Sequence, residues 1–83
     1  MGRVLEEKPE DAEARYLRGL ARSRLGDLKQ AISDLTWAIV YDPFLAEAYF
    51  ERGHAYRGLS RFNKADADLE KAFQLDPCVD RQK

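Results

Sequence analysis

The residue types that carry catalysis and metal binding are sparse in this chain. His54 is the only histidine and Cys78 is the only cysteine, so neither has a second partner at the spacing that a zinc site needs. Ser23, Ser33 and Ser60 have no base in a recognisable arrangement, and no glycine-rich phosphate loop is present. We therefore expect a protein that is not an enzyme and that uses no metal and no cofactor.

Composition and charge narrow the remaining classes. A length of 83 residues corresponds to one small domain at most. Although 35% of the residues are charged, the net charge is only -1, which does not favour a dedicated nucleic-acid binder. No apolar run approaches the ~18 residues that span a bilayer, so we expect no membrane partner. A single cysteine cannot form an internal disulfide, so we expect a cytoplasmic protein.

The helices that would position any site follow from an internal repeat. A shift of 34 positions, from residue 12 to residue 46, superimposes small residues and two Asp-Pro pairs. The superimposed residues are Ala12 and Ala46, Ala14 and Ala48, Gly19 and Gly53, Ala31 and Ala65, Leu35 and Leu69, Ala38 and Ala72, and Pro43 and Pro77. A period between about 20 and 50 residues indicates a stacked repeat array.

Apolar residues at helical spacing predict four helices, joined by short connections that make neighbouring helices antiparallel. The predicted ranges are Glu10–Arg24, Leu28–Tyr41, Leu45–Gly58 and Phe62–Leu75. Gly26 is suited to the left-handed residue after the first helix, and Asp27 is suited to cap the second. Gly19 and Gly53 are the positions at which two helix backbones can approach closely.

Two such units resemble the tetratricopeptide repeat, through Gly19 and Gly53, Ala31 and Ala65, Ala38 and Ala72, and Pro43 and Pro77. The resemblance implies an all-α fold, an α-solenoid of two stacked antiparallel helix-turn-helix repeats in a single domain over residues 1–83. Repeat one would cover about residues 12–45 and repeat two about residues 46–79. Residues 4–9 match the end of a preceding repeat.

The first helix departs from the family at three arginines. Arg15, Arg18 and Arg22 stand where the family commonly has large apolar residues. We expect Arg15 and Arg22 to face Val4 and Leu5 and to form a polar N-terminal end, solvated or paired with Glu6 and Glu7. Incomplete packing of this end is the alternative.

The resemblance further implies a protein–protein interaction module or scaffold that receives a peptide or a partner helix in a concave groove. The first helix of each repeat lines this groove, which predicts the candidate residues Tyr16, Leu20, Arg24, Phe50, Glu51, His54 and Arg57. Some relatives clamp the terminal carboxylate of chaperones with basic and amide side chains. Here the matching places hold Tyr16, Leu20, Glu47 and Glu51, and two acids repel a carboxylate. We expect no chaperone-tail clamp.

A second set of residues predicts self-association. No further helix follows the fourth, so Leu69, Ala72, Phe73 and Leu75 would stand in water unless a second copy, the folded tail or further sequence covers them. Trp37 occupies a position that is usually polar and is the other candidate. We expect residues from Cys78 onward to fray.

Two alternatives to the interaction module remain open from the sequence. One is a structural building block, natural or engineered, whose main property is assembly into a homo-oligomer. The other is a helical repeat that binds RNA, suggested by the basic first helix, although we expect no nucleic acid as partner because acids elsewhere balance these arginines.

Overall fold

The structure, a computed structural model that describes residues 11–81, consists of four α-helices and a short 3-10 turn. The elements are α1 (Ala12–Arg24), α2 (Leu28–Tyr41), α3 (Ala46–Gly58), α4 (Phe62–Leu75) and the turn Val79–Arg81. Within residues 11–81 there is no strand. α1 packs on α2, α3 packs on α4, and α2 joins the two hairpins by packing on α3. The predicted all-α solenoid of two stacked hairpins is thereby confirmed.

The helix ends follow from local backbone chemistry. Asp11 caps α1, because its side chain accepts hydrogen bonds from the backbone N–H groups of Glu13 and Ala14 at 3.1 and 3.3 Å. Asp27 takes the cap position of α2 as predicted, but its side chain makes no capping hydrogen bond and lies instead 3.6 Å from Arg22 Nη1. Gly26 has a φ of 86°, as expected for the left-handed residue after α1.

Each hairpin closes around a glycine. A Cβ atom at Gly19 would lie 2.8 Å from Leu35 Cγ, and a Cβ atom at Gly53 would lie 2.9 Å from Leu69 Cγ. At both glycines the Cβ would meet the branch point of a leucine and a backbone carbonyl oxygen 3.2 Å away, neither of which can shift easily, so both glycines are required by the close approach of the facing helix. Leu69 is thus engaged inside its own hairpin.

The end of the chain packs more closely than the sequence predicted. Val79 is only 3% exposed and forms a cluster with Ala46 and Ala72, against which Leu75 also packs. The expected fraying from Cys78 onward is therefore wrong for Val79, whereas the folded tail, one of the three expected covers, packs on Ala72. The tail partly covers α4 because Pro77 and Asp76 turn the chain back toward α3.

Candidate functional site

An arginine–aspartate ion pair with a buried carboxylate recurs at the same place in both repeats. Arg18 donates to both carboxylate oxygens of Asp34 at 3.0 and 2.8 Å, and Arg52 donates to both oxygens of Asp68 at 2.7 and 2.8 Å. These pairs were not predicted from the sequence. The signal was available, because the 34-residue shift that superimposes the glycines also places Arg18 on Arg52 and Asp34 on Asp68.

The three arginines of α1 converge on the carboxylate of Asp34. Besides Arg18, Arg22 Nε lies 3.1 Å and Arg15 Nη1 lies 3.9 Å from its oxygens. The Arg18 hydrogen bond is the main cause that lowers the pKa of Asp34, although burial opposes it. Within the described residues the arginines are thus paired inside their own hairpin. The predicted partners Glu6 and Glu7, like residues 4–9 as a whole, lie outside the described part.

Arg52 connects three helices. It lies on α3, pairs with Asp68 on α4, and donates from Nη1 to the Thr36 hydroxyl on α2 at 3.1 Å. Tyr49 and Tyr56 flank its guanidinium group, with ring centroids 5.9 and 5.8 Å away. Because one side chain touches both hairpins, Arg52 fixes how repeat two sits on repeat one.

The inner surface between α1 and α3, which we call the groove, brings several predicted residues together. Tyr16 packs against the cluster of Leu35, Ala38 and Ala48, and burial raises its pKa. The nearby carboxylates of Glu51 and Glu47 raise the pKa of Tyr16 further.

Burial also raises the pKa of Glu51, while His54 and Arg24 act in the opposite direction. These electrostatic effects require that Tyr16, Arg24, Glu51 and His54 lie close together across the two helices. The groove therefore has a half-buried acidic centre with basic groups at its edge.

Aromatic residues extend the groove toward α4. The rings of Phe50 and His54 meet edge to face with centroids 4.5 Å apart, and Phe73 contacts the other side of Phe50 at 6.1 Å. Leu20 is half-buried and Arg57 is exposed on the same two helices. The structure thus places Phe50 and Phe73, predicted for separate surfaces, in one contact.

A second apolar surface lies at the end of α2. Trp37 is 46% exposed and stacks on Tyr41, with centroids 5.7 Å apart, and Val40 and Phe44 are also exposed. Three of the four matching residues of repeat two are polar or small, namely Lys71, Gln74 and Cys78, and the fourth, which matches Tyr41, is Leu75. The role of Trp37 in self-association stays a prediction.

Between residues 11 and 81, no three His, Cys, Asp or Glu side chains are arranged to hold a metal ion. In the same part of the chain, every helix is too short or too polar to cross a lipid bilayer. What the described surface presents is an aromatic and acidic groove between α1 and α3.

Comparison with known proteins shows which family the two repeats resemble. Residues 12–43 and 46–77 each match the family profile described as tetratricopeptide repeat. Tetratricopeptide repeat protein 13 of Homo sapiens is 35% identical over 81 residues, which cover 92% of this chain and 9% of that protein. DnaJ homolog subfamily C member 7 of Mus musculus is 36% identical over 59 residues, covering 71% of this chain and 12% of that protein.

Protein SGT1 homolog of Oryza sativa subsp. japonica is 32% identical over 72 residues, covering 87% of this chain and 20% of that protein. The chain therefore spans a small part of the length of each of these relatives. Because both of its hairpins match the profile and fold as the match requires, this chain belongs to the tetratricopeptide repeat family.

Proposed function

We propose that this protein is an interaction module that holds an extended peptide or a helix of a partner protein in the groove between α1 and α3. The family membership supports a protein partner in general. The groove itself supports a contact built from the aromatic residues Tyr16 and Phe50, since aromatic side chains with a polar rim form most binding hot spots.

The charges of the groove favour a basic partner segment. Glu47 and Glu51 both raise the pKa of Tyr16, so two carboxylates lie close to this aromatic residue of the groove. A lysine or arginine of a bound peptide would meet a half-buried carboxylate there, whereas a terminal carboxylate would be repelled. The absence of a chaperone-tail clamp stays part of this proposal.

One observation carries the proposal. Glu51 is a half-buried carboxylate whose pKa is raised chiefly by burial, so the folded protein keeps an acid where its charge is poorly solvated. A structural role would be served better by a neutral side chain. A cationic ligand would offset the unfavourable energy of the partly buried Glu51 carboxylate. It would thereby explain why this position holds an acid.

The experiment compares two short fluorescent peptides that contain the same leucine and alanine residues. At the remaining positions one peptide has arginine and the other has glutamate. Fluorescence anisotropy should detect binding of the basic peptide only. Glu51→Gln should weaken that binding about tenfold, equivalent to ~1.4 kcal/mol. Asp66→Asn removes an equal charge from the exposed face of α4 and should leave binding unchanged.

Phe50→Ala should likewise weaken binding, while Phe62→Ala, an exposed phenylalanine on α4, should not. Tighter binding of the acidic peptide, or equal losses for Glu51→Gln and Asp66→Asn, would contradict the groove proposal. We assign no catalytic step to any of these residues.

Self-association is a second candidate function. It is supported by Phe62 and Phe73, which remain 56% and 39% exposed on α4. A cytoplasmic location stays a proposal, supported by the one cysteine, which is free and exposed.

A further inference from the structure

The contact between α2 and α3 shows how one repeat receives the next. Thr36 accepts a hydrogen bond from Arg52, Leu28 lies against Gly58, and Ile39 packs against the cluster that contains Ala48. The numbers of the first two pairs add up to 88 and 86, so the two helices run antiparallel in one register. Ile32 lies between Leu28 and Thr36 on the same side of α2 by helical spacing.

The same side of α4 is uncovered. The residues that match Leu28, Ile32, Thr36 and Ile39 after a shift of 34 positions are Phe62, Asp66, Glu70 and Phe73. All four are exposed, whereas their counterparts on α2 are partly buried. We call this set the outer face of α4. It presents two acids between two phenylalanines.

Among the described residues 11–81, none covers the surface of α1 that matches the α2-facing side of α3. Ala48 and Ala55 are fully buried on α3, while their counterparts Ala14 and Ala21 are exposed on α1. The remaining members of this outer face of α1 are Arg18, Arg22, Arg24 and Leu25. Leu25 is 83% exposed. α1 carries four arginines and one glutamate, so its charge is opposite to that of the outer face of α4.

We propose that copies of this chain associate head to tail, with the outer face of α4 in one copy against the outer face of α1 in the next. The internal register then places Glu70 opposite Arg18 and Asp66 opposite Ala21 and Arg22. Glu70 replaces Thr36 and Arg18 replaces Arg52, so a hydrogen bond from a guanidinium group to a hydroxyl becomes an ion pair between a guanidinium group and a carboxylate. The inference deepens the self-association proposed above and does not require binding in the groove, although Arg24 and Phe73 border both surfaces.

The contact between copies differs from the internal one at both ends. A Cβ atom at Gly58 would lie 2.6 Å from Leu28 Cδ1, and the matching pair, Arg24 and Phe62, is much larger. The helices must therefore lie farther apart at this end than α2 and α3 do, and the guanidinium group of Arg24 would lie over the ring of Phe62. At the other end, the turn Val79–Arg81 matches residues 45–47 and already takes the place of a first helical turn. The contacts that stabilise the association therefore lie in the middle turns of α4 and α1.

Such an association should be weak and sensitive to salt. Sedimentation equilibrium of the complete chain should show a mass that rises with concentration in about 0.01 M salt. In about 1 M salt, where the Debye length falls from ~30 Å to ~3 Å, it should return to that of the monomer. A monomer at every concentration in low salt, or a mass that does not respond to salt, would overturn the proposal.

Two variants test the head-to-tail arrangement. Asp66→Arg with Glu70→Arg disables the α4 face, and Leu25→Glu places an acid on the α1 face opposite Phe62 and close to Asp66. Each variant alone should associate at least tenfold more weakly than the unchanged chain. Mixed together they should form a one-to-one pair and nothing larger, because each retains the face that the other has lost.

Circular dichroism should show native helix content in both variants, since the changed side chains are exposed. Glu13→Arg produces the same change in charge at one position outside either face and serves as the control. A mixture that stays monomeric, or a control that dissociates as fully as the α4 variant, would overturn the arrangement.

Discussion

Asp68→Ala should destabilise this protein more than Asp34→Ala, although the two residues occupy the same place in their repeats. Asp68 accepts two hydrogen bonds from Arg52 at 2.7 and 2.8 Å, and their side chains are only 8% and 18% exposed. Removal of the carboxylate leaves a guanidinium group that is shielded from water and has lost its counter-ion. In repeat one, Arg18 is 55% exposed and regains water when Asp34 is removed.

The magnitude follows from the burial of the pair. Loss of one partner of a buried ion pair costs about 3–5 kcal/mol, and the partial exposure of Arg52 places Asp68→Ala near 3 kcal/mol. A typical stability of ~0.05–0.15 kcal/mol per residue gives about 4–12 kcal/mol for 83 residues. The variant should therefore lose a large share of its stability. Because Arg52 also holds Thr36 on α2, the groove should lose its shape as well.

Urea denaturation followed by circular dichroism measures both variants. The double variant Arg52→Met with Asp68→Leu should recover much of the loss, because an apolar pair of similar volume leaves no buried charge. A loss below about 1 kcal/mol for Asp68→Ala, or an equal or larger loss for Asp34→Ala, would refute the reasoning from exposure.

Two further predictions concern the hairpin and the groove. Gly53→Val should cost about 1–3 kcal/mol of unfolding free energy, since its Cβ would meet Leu69 at 2.9 Å and the Ala65 carbonyl at 3.2 Å. Gly58→Ala should cost little, because only the flexible end of Leu28 stands in the way, and equal costs in thermal unfolding would contradict this. Glu51→Gln should stabilise the protein at pH 7, because burial raises the pKa of this carboxyl and its ionised form is unfavourable in the folded state. That gain should shrink as the pH falls through the raised pKa toward the ordinary value of 4.5, and a gain that does not change between pH 7 and pH 4 would contradict it.

The helices were predictable because their signals are local. The apolar spacing and the Asp-Pro pairs set the ends of α2 and α4 to the residue. The starts of α1 and α3 were less well predicted, because a cap depends on which side chain reaches the free N–H groups. At α1 this is Asp11, and at α3 Leu45 takes the cap position without a side-chain bond.

The charged centre of each hairpin was not predicted, because its partners are 16 residues apart and on different helices. Helical periodicity places Arg18 on one face of α1 and Asp34 on one face of α2, but it does not show that the faces meet. The groove was predicted by resemblance rather than by physical reasoning, and its binding role remains a proposal. The closeness of Phe50 to Phe73 depends on how α4 packs on α3, which no local pattern reveals.

The differences between the two repeats distinguish a terminal cap from a contact surface. A helix that ends a repeat array needs polar residues on its outer side, which alone would explain why Asp66 and Glu70 replace Ile32 and Thr36. The same requirement would also replace Leu28 and Ile39 with polar residues. They are replaced by Phe62 and Phe73, which are larger and remain exposed. Solubility does not favour two exposed phenylalanines on either side of two acids. A basic helix with small residues between its arginines would complement this pattern. α1 is such a helix.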